Sequence, residues 1–418
     1  MENELASLIS MQRAYREESC LPLKDVRVLD LGTVVAAPFA ATFLGDFGAE
    51  VIKIENPGMP DAIRAWGVLE GGFAPWWLVV SRNKLPVTLN LRAPEGQEIL
   101  ARLIEKSDIL LENFRPGVLN RMGFTAKRLL ELNNGLIVGR ISGYGQTGPY
   151  SSRPGFGTLA EGFSSFTYLN AQPGGPPLSP PMPLADLVTG LHMAFAIMVA
   201  LRGARRGESG GQEIDMSLYE PLLGMLGPAF LEYWLTEQVP QPWGAELSFT
   251  APRNNYQTSD GRWVALSASA QVPFERLMVA IGKPEYNTDP HFQTNQARIK
   301  LENRQELNRA IAEWFLQMTL EEALATCEKL EITVGLVANM RDIAEDPHVA
   351  ERKTLVDIAD PSTGRILRMP DVPFRLEKSP GKIRFPGLPM GAANEAIYQD
   401  LLGYSADTLR DWKAKKII

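Results

Sequence analysis

VRVLDLG (Val26–Gly32), PFAATFLGDFG (Pro38–Gly48) and AEVIKIE (Ala49–Glu55) follow one another near the start of the chain. The outer two are short apolar runs rich in β-branched residues, and the middle one suits a helix, so the stretch predicts strand, helix, strand. Such a crossover is right-handed and begins a parallel sheet. The alternation continues through PVTLNL (Pro86–Leu91), DILLEN (Asp108–Asn113) and LIVGRISGYG (Leu136–Gly145). Between them, PEGQEILARLIEKS (Pro94–Ser107) carries the i, i+3, i+4 apolar spacing of an amphipathic helix. The predicted class is α/β with a mostly parallel sheet. Ligands of such sheets collect where strands end. ENPG, LRAPEG, ENFRPG and SGYGQTGP each follow a predicted strand, which suits one site built from several loops.

Composition narrows the chemistry. With 418 residues the chain can bury a large core and form two or three domains. A formal net charge of -7 argues against nucleic acid as a partner. Two cysteines, Cys20 and Cys327, make no disulfide framework, so the predicted setting is a reducing cytoplasm. The segment MENELASLISMQRAYREES is too polar for a secretory signal, and the apolar run Met193–Leu201 is too short to span a membrane. His192, His291 and His348 offer no metal-ligand cluster. A GxxxxGK[ST] pattern is missing. From about Phe230 the texture changes: TAPRNNYQTSDGRWVALSA suits a hairpin, helical segments follow, and a smaller second domain is predicted. NEAIYQDLLGYSADTLRDWKA reads as the last helix.

Asp186 is the candidate reactive group. It stands in PMPLADLVTGLHMAFAIMVAL, at the mouth of a long apolar helix. A helix N-terminus carries roughly half a positive charge and unpaired N–H groups, so an acid there is expected to stay ionised. An ionised, positioned carboxylate can attack an activated acyl group. An N-cap is the alternative role for an Asp in that place.

The ordered set LDLGTVVAAPFAATFLGDFGAEVIKIENPGMPDAIRAW, RNKLPVTLNLRAPEG, ENFRPGVLNRMGF, ISGYGQTGPY and LADLVTGLHMAFAIMVAL resembles the family III CoA-transferases, the CaiB–BaiF family. The resemblance covers nearly the whole chain. It implies a Rossmann-like large domain over 1–228 and 336–418, with a smaller α+β domain over 229–335 between. It further implies ring-shaped subunits in an interlocked dimer, either a homodimer or a heterodimer with a paralogous subunit. Asp186 matches the family's catalytic aspartate, which carries the acyl group and then CoA. CoA thioesters enter as substrates, and no separate cofactor or metal is implied. The matching CoA-contact positions are Ala36, Leu89, Asn90, Leu91, Arg92, Asn113, Phe114, Arg115, Arg121, Gly143 and Tyr144. Arginine suits nucleotide phosphates because its planar fork donates paired hydrogen bonds.

Some positions depart from the pattern. Val35 stands where some relatives have a glutamine that hydrogen-bonds the intermediate; Asn56 replaces an arginine and Ser142 a lysine. The glycine-rich loop of one branch is missing from Val239–Ala251. The related α-methylacyl-CoA racemases use a histidine where Phe156 stands, which ranks that alternative below transfer. A non-catalytic subunit of a heteromeric transferase is a further alternative. The predicted donor is succinyl-CoA and the acceptor an organic acid, dicarboxylic or aryl-substituted. Arg64, Arg115 and Arg253 are candidates for a second carboxylate, and Trp66, Phe73, Trp76, Trp77 and Trp243 for a pocket wall.

Overall fold

The structure is a computed structural model that describes residues 20–69 and 71–418. The polar segment 1–19 lies outside the described residues. Six parallel strands form the main sheet: β1 (Arg27–Asp30), β2 (Glu50–Glu55), β3 (Lys84–Thr88), β4 (Ile109–Glu112), β5 (Ile137–Ser142) and β6 (Gln212–Ser217). Their spatial order is β3-β2-β1-β4-β5-β6, the doubly wound arrangement that reverses direction beside β1. The predicted α/β class holds. Pairing in register, Leu29 beside Ile52 and Leu110, makes the strand centres nearly all apolar. Val28, Leu29, Val51, Ile52, Ile109 and Leu110 are fully buried, as in a sheet covered on both faces.

Four helices position the site: α1 (Ala36–Asp46), α2 (Pro94–Glu105), α3 (Gly157–Phe163) and α4 (Leu184–Arg205). Helix α2 buries Ile99, Leu100, Leu103 and Ile104 against one face of the sheet, the side its periodicity predicts. Helix α1 lies on the other face with α4, and its Ala37, Ala40 and Ala41 pack with Met193 and Ile197. Gly190 makes that approach possible, since a Cβ there would lie 2.7 Å from the Ala36 carbonyl oxygen. By length and composition α4 is apolar enough to cross a bilayer, unlike the shorter Met193–Leu201 run within it. Its buried side, however, belongs to the sheet core.

The chain forms two compact units. The larger takes the residues up to Phe166, Ser179–Leu231 and Ala350–Ile418, and the smaller takes Thr167–Leu178 and Glu232–Val349. The smaller unit is therefore more extensive than the predicted 229–335. Thr167–Leu178 joins it because the Gly244 N–H bonds the Ala171 carbonyl at 2.9 Å. Residues beyond 335 stay with it through the Arg262–Asp342 ion pair at 2.7 Å. Its sheet is antiparallel, β7 (Arg253–Gln257), β8 (Trp263–Ser267) and β9 (Val334–Leu336), with β7 and β8 joined as the predicted hairpin. Gly261, at φ +77°, closes that turn.

Near the C-terminus β10 (Leu355–Ala359) and β11 (Ile366–Pro370) pair antiparallel. The predicted last helix is two segments, Ala396–Leu401 and Ala406–Ala414. Gly403 at φ +78° breaks it, and the Ser405 hydroxyl caps the second piece at Thr408 N–H, 3.1 Å away. The Ile417 carbonyl then accepts the Asn90 N–H at 2.7 Å, tying the end of the chain to the loop after β3.

Candidate active site

Asp186 is the third residue of α4, and the N-cap position belongs to Pro183, so Asp186 is not the cap. Its carboxylate is half-buried, and no other side chain among the described residues pairs with it. Helix α3 brings two residues to it, one turn apart. A Cβ on Gly157 would collide with Asp186 Oδ2 and lie 3.1 Å from Cγ. Glu161, 2% exposed, accepts the Ala185 N–H at 3.2 Å. Burial, and then the Glu161 charge, push Asp186 up to about 7 against the pull of its own backbone N–H. Burial beside Glu161 thus works against the expectation of a fully ionised acid. Glu161 went unnoticed in the sequence because only the packing of α3 on α4 brings it near Asp186.

The turn between β1 and α1 is held at every residue. Gly32 N–H donates to Asp30 Oδ1 at 3.0 Å. The Asn113 amide bonds both Thr33 N–H and Thr33 carbonyl at 2.8 Å. Val34 N–H donates to both Asp61 oxygens at 3.0 and 3.2 Å. Val34 has φ +65°, a left-handed conformation that costs a β-branched residue about 1–2 kcal/mol. Val35 and Ala36 follow, both buried, at the entry to α1. Val34, Phe39, Trp76 and Leu187 share one apolar cluster with Val35, so the turn packs beside the residue that follows Asp186. The Val35 side chain offers no hydrogen bond there.

Below the turn lie two buried ion pairs, Lys53–Asp61 at 3.1 Å and Lys84–Asp30 at 2.8 Å. Lys53 also donates to the Gly32 carbonyl. Burial disfavours its charge, yet Asp30, Asp61 and Glu55 outweigh that and hold its ammonium above the usual range. Asp61 is desolvated too, and Lys53 with two backbone N–H groups keeps it below the usual carboxylate range. Burial pushes Lys84 down to about 8.

The positions matched to CoA contacts lie on the segments that follow β1, β3, β4 and β5, with Ala36 and Arg121 in helices, but they differ in what they expose. Leu89 and Leu91 are buried in the core, so their side chains do not face a ligand. Asn90 accepts the Arg92 N–H at 3.1 Å within its own loop. Asn113 is committed to Thr33, and Phe114 N–H to Glu112 at 2.7 Å. Burial pushes that Glu112 up to about 7 against the nearby Arg140. Arg92, Arg115 and Arg121 are exposed, and their guanidinium groups have no protein partner among the described residues. Gly143 stands back to back with Gly155, whose Cα would lie 2.6 Å from a Cβ on Gly143. Tyr144 packs edge-on to Tyr150 and Phe163.

Other candidates are spoken for. Arg64 grips Glu55 at 2.8 and 2.6 Å and lies 3.4 Å over the Trp77 ring, as a structural ion pair does. Arg253 donates to the Ala245 carbonyl. Trp77 is buried, Trp243 lies under Arg304 and Phe73 under Arg365. Trp66 and Trp76 remain as a partly exposed edge-to-face pair. Asn56 accepts Gly58 N–H at 2.8 Å, and the buried Ser142 hydroxyl has no partner among the described residues. Phe156 is exposed, while His192 bonds the Val188 carbonyl at 2.8 Å one turn back.

Residues 23–394 match the family described as CoA-transferase family III. The chain belongs to the family III CoA-transferases. It is accordingly a CoA-transferase enzyme. This transferase is 39% identical over 398 residues, 95% of its length and 98% of the relative's, to a succinyl-CoA–D-citramalate CoA-transferase of Chloroflexus aurantiacus. It is 37% identical over 95% of its length to the β subunit of a succinyl-CoA–L-malate CoA-transferase of the same organism, covering 98% of that subunit. With the human succinyl-CoA:glutarate CoA-transferase it shares 30% identity over 92% of its length and 86% of the relative's. A CaiB/BaiF family protein from Brucella suis has a similar structure, with a TM-score of 0.80 and 29% identity over 91% of this chain and 99% of that one.

Proposed function

We propose that the transferase moves CoA from succinyl-CoA to a second dicarboxylic acid through covalent intermediates on Asp186. The observation that carries this is an unpaired, half-buried carboxylate, pushed up to about 7, pressed against a glycine on the larger unit. The ionised carboxylate attacks the thioester carbonyl, forming a mixed anhydride and releasing CoA thiolate. The thiolate attacks the aspartyl carbonyl, which frees succinate and leaves an aspartyl-CoA thioester. The acceptor carboxylate displaces the thiolate to give a second anhydride, and the thiolate then takes the acceptor acyl group and restores the aspartate. No step consumes water, so the thioester's transfer potential is kept. Backbone N–H groups near Asp186 supply the donors for the tetrahedral oxyanions, a role that Val35 cannot take.

The dicarboxylic acceptor is supported by the citramalate, malate and glutarate in the relatives' names. Arg92, Arg115 and Arg121, exposed and unpaired, suit the phosphates of CoA. Leu191, Phe195 and Val199 make an exposed apolar stripe on α4, 71% exposed at Phe195, which suits burial against a second subunit in the interlocked dimer. The α and β subunit names of the malate-specific relatives make a paralogous partner the alternative to a second copy.

Trapping tests the proposal. The chain, purified alone, is mixed with succinyl-CoA and hydroxylamine, and the modified peptide is mapped by mass spectrometry. Hydroxamate on Asp186 is expected; an Asp186→Asn variant with undiminished exchange would defeat the mechanism. A wild-type chain silent alone but active with a paralogue would assign it to a heteromer.

A further inference from the structure

The turn after β1 is built from side chains that take no part in the chemistry proposed above. Asp61 is 5% exposed and comes from a distant loop, and both its oxygens accept the Val34 N–H. It receives a further backbone donor, Ile63 N–H, at 3.2 Å and the ammonium of Lys53 at 3.1 Å. Lys53 in turn donates to the Gly32 carbonyl, so one ion pair grips the turn at both ends. Val34 adopts a conformation that valine avoids when free, so something must hold it. A buried pair is a weak source of stability, and specifying one arrangement is its better-attested use. The held segment leads into Val35 and Ala36, and Ala36 touches α4 at Gly190, one helical turn from Asp186.

The geometry points to Asp61 as a positioning residue for transfer at Asp186: braced by Lys53, it fixes the left-handed Val34 turn and so sets where Val35 and Ala36 stand against the first turn of α4. This inference rests on the reaction proposed for Asp186. Without the carboxylate, Val34 relaxes to negative φ and the segment moves away from that turn. The fold itself survives, because Lys84–Asp30 remains paired beneath it.

The test replaces the whole pair, Lys53→Met with Asp61→Leu, so that no buried charge is stranded. The expected variant melts near the wild type and loses about a hundredfold in kcat for succinyl-CoA exchange, with KM for succinyl-CoA moving less than about threefold. Amide hydrogen exchange in the peptide spanning residues 31–40 is expected to speed up. Adding Val34→Gly should restore about tenfold of the lost kcat, because glycine takes the left-handed conformation unaided. A merely structural pair gives the opposite result, with the added glycine loosening the turn and deepening the loss. Retention of wild-type kcat by the pair variant, or a deeper loss on adding Val34→Gly, overturns the inference. Should the pair variant not fold, Lys53→Met with Asp61→Asn, which likewise strands no charge, carries the same readouts with a smaller loss. A wild type without any exchange would sink the proposed function, whereas the hydrogen-exchange pattern would still report whether Asp61 holds the turn.

Discussion

Gly157 and Asp186 touch so closely that the glycine has no room for a side chain, since any Cβ would collide with the carboxylate. The contact joins the first residue of α3 to the first turn of α4. Gly157→Ala is therefore expected to turn the Asp186 side chain away and lower kcat by about a hundredfold. Its melting midpoint should stay near that of the wild type. An alanine variant with full exchange activity would show that the contact is incidental.

Only the ionised form of Asp186 attacks, so single-turnover acylation should rise with pH around a midpoint near 7. Glu161→Gln removes the like charge and should move that midpoint down. A profile flat from about pH 5 to 8 would contradict this. Stability runs the other way. The folded pKa lies above the ordinary carboxylate value of 3.8, so the neutral acid's contribution is complete below about 4 and is lost as pH rises through about 7. Asp186→Asn should thus gain in melting midpoint over the wild type as the buffer goes from pH 4 to pH 8.

Arg64→Ala should cost stability and leave specificity alone. It strands Glu55, whose side chain is 1% exposed, beside buried neighbours. Breaking such a pair costs about 3 kcal/mol. A shifted urea midpoint with unchanged KM for each acceptor acid is expected; an altered acceptor preference would return Arg64 to the substrate site.

Arg92→Ala, Arg115→Ala and Arg121→Ala should each raise KM for acyl-CoA about tenfold with little change in kcat. The effect should shrink with added salt, as befits exposed charges. If Arg115 instead meets the acceptor, KM for the acid will move and that for acyl-CoA will not.

Much of the molecule was legible from residue order. The strands around Val26–Gly32 and Ala49–Glu55 announce themselves because a sheet covered on both faces needs unbroken apolar runs. The Ser259–Gly261 turn is equally plain, since few residues suit such a bend. Asp186 stood out because a lone acid opens a long apolar helix. The transfer of Thr167–Leu178 to the smaller unit was not visible, because it depends on partners far away in the chain, whereas the C-terminal break at Gly403 rests on local signals, that glycine and the Ser405 cap, that a single-helix reading passes over.

The chain order alone determined the parallel α/β class and the family, and it marked Asp186 as the candidate for covalent chemistry. Local periodicity and an ordered set of motifs survive in one dimension. Tertiary structure alone decided the surroundings of that aspartate, half-buried beside Glu161, and those of Leu89, Leu91, Asn113 and Arg64, which are packed or paired within the protein. Desolvation and pairing are properties of what surrounds a group in space, and residues 25 or 80 positions apart in the chain supply those surroundings here.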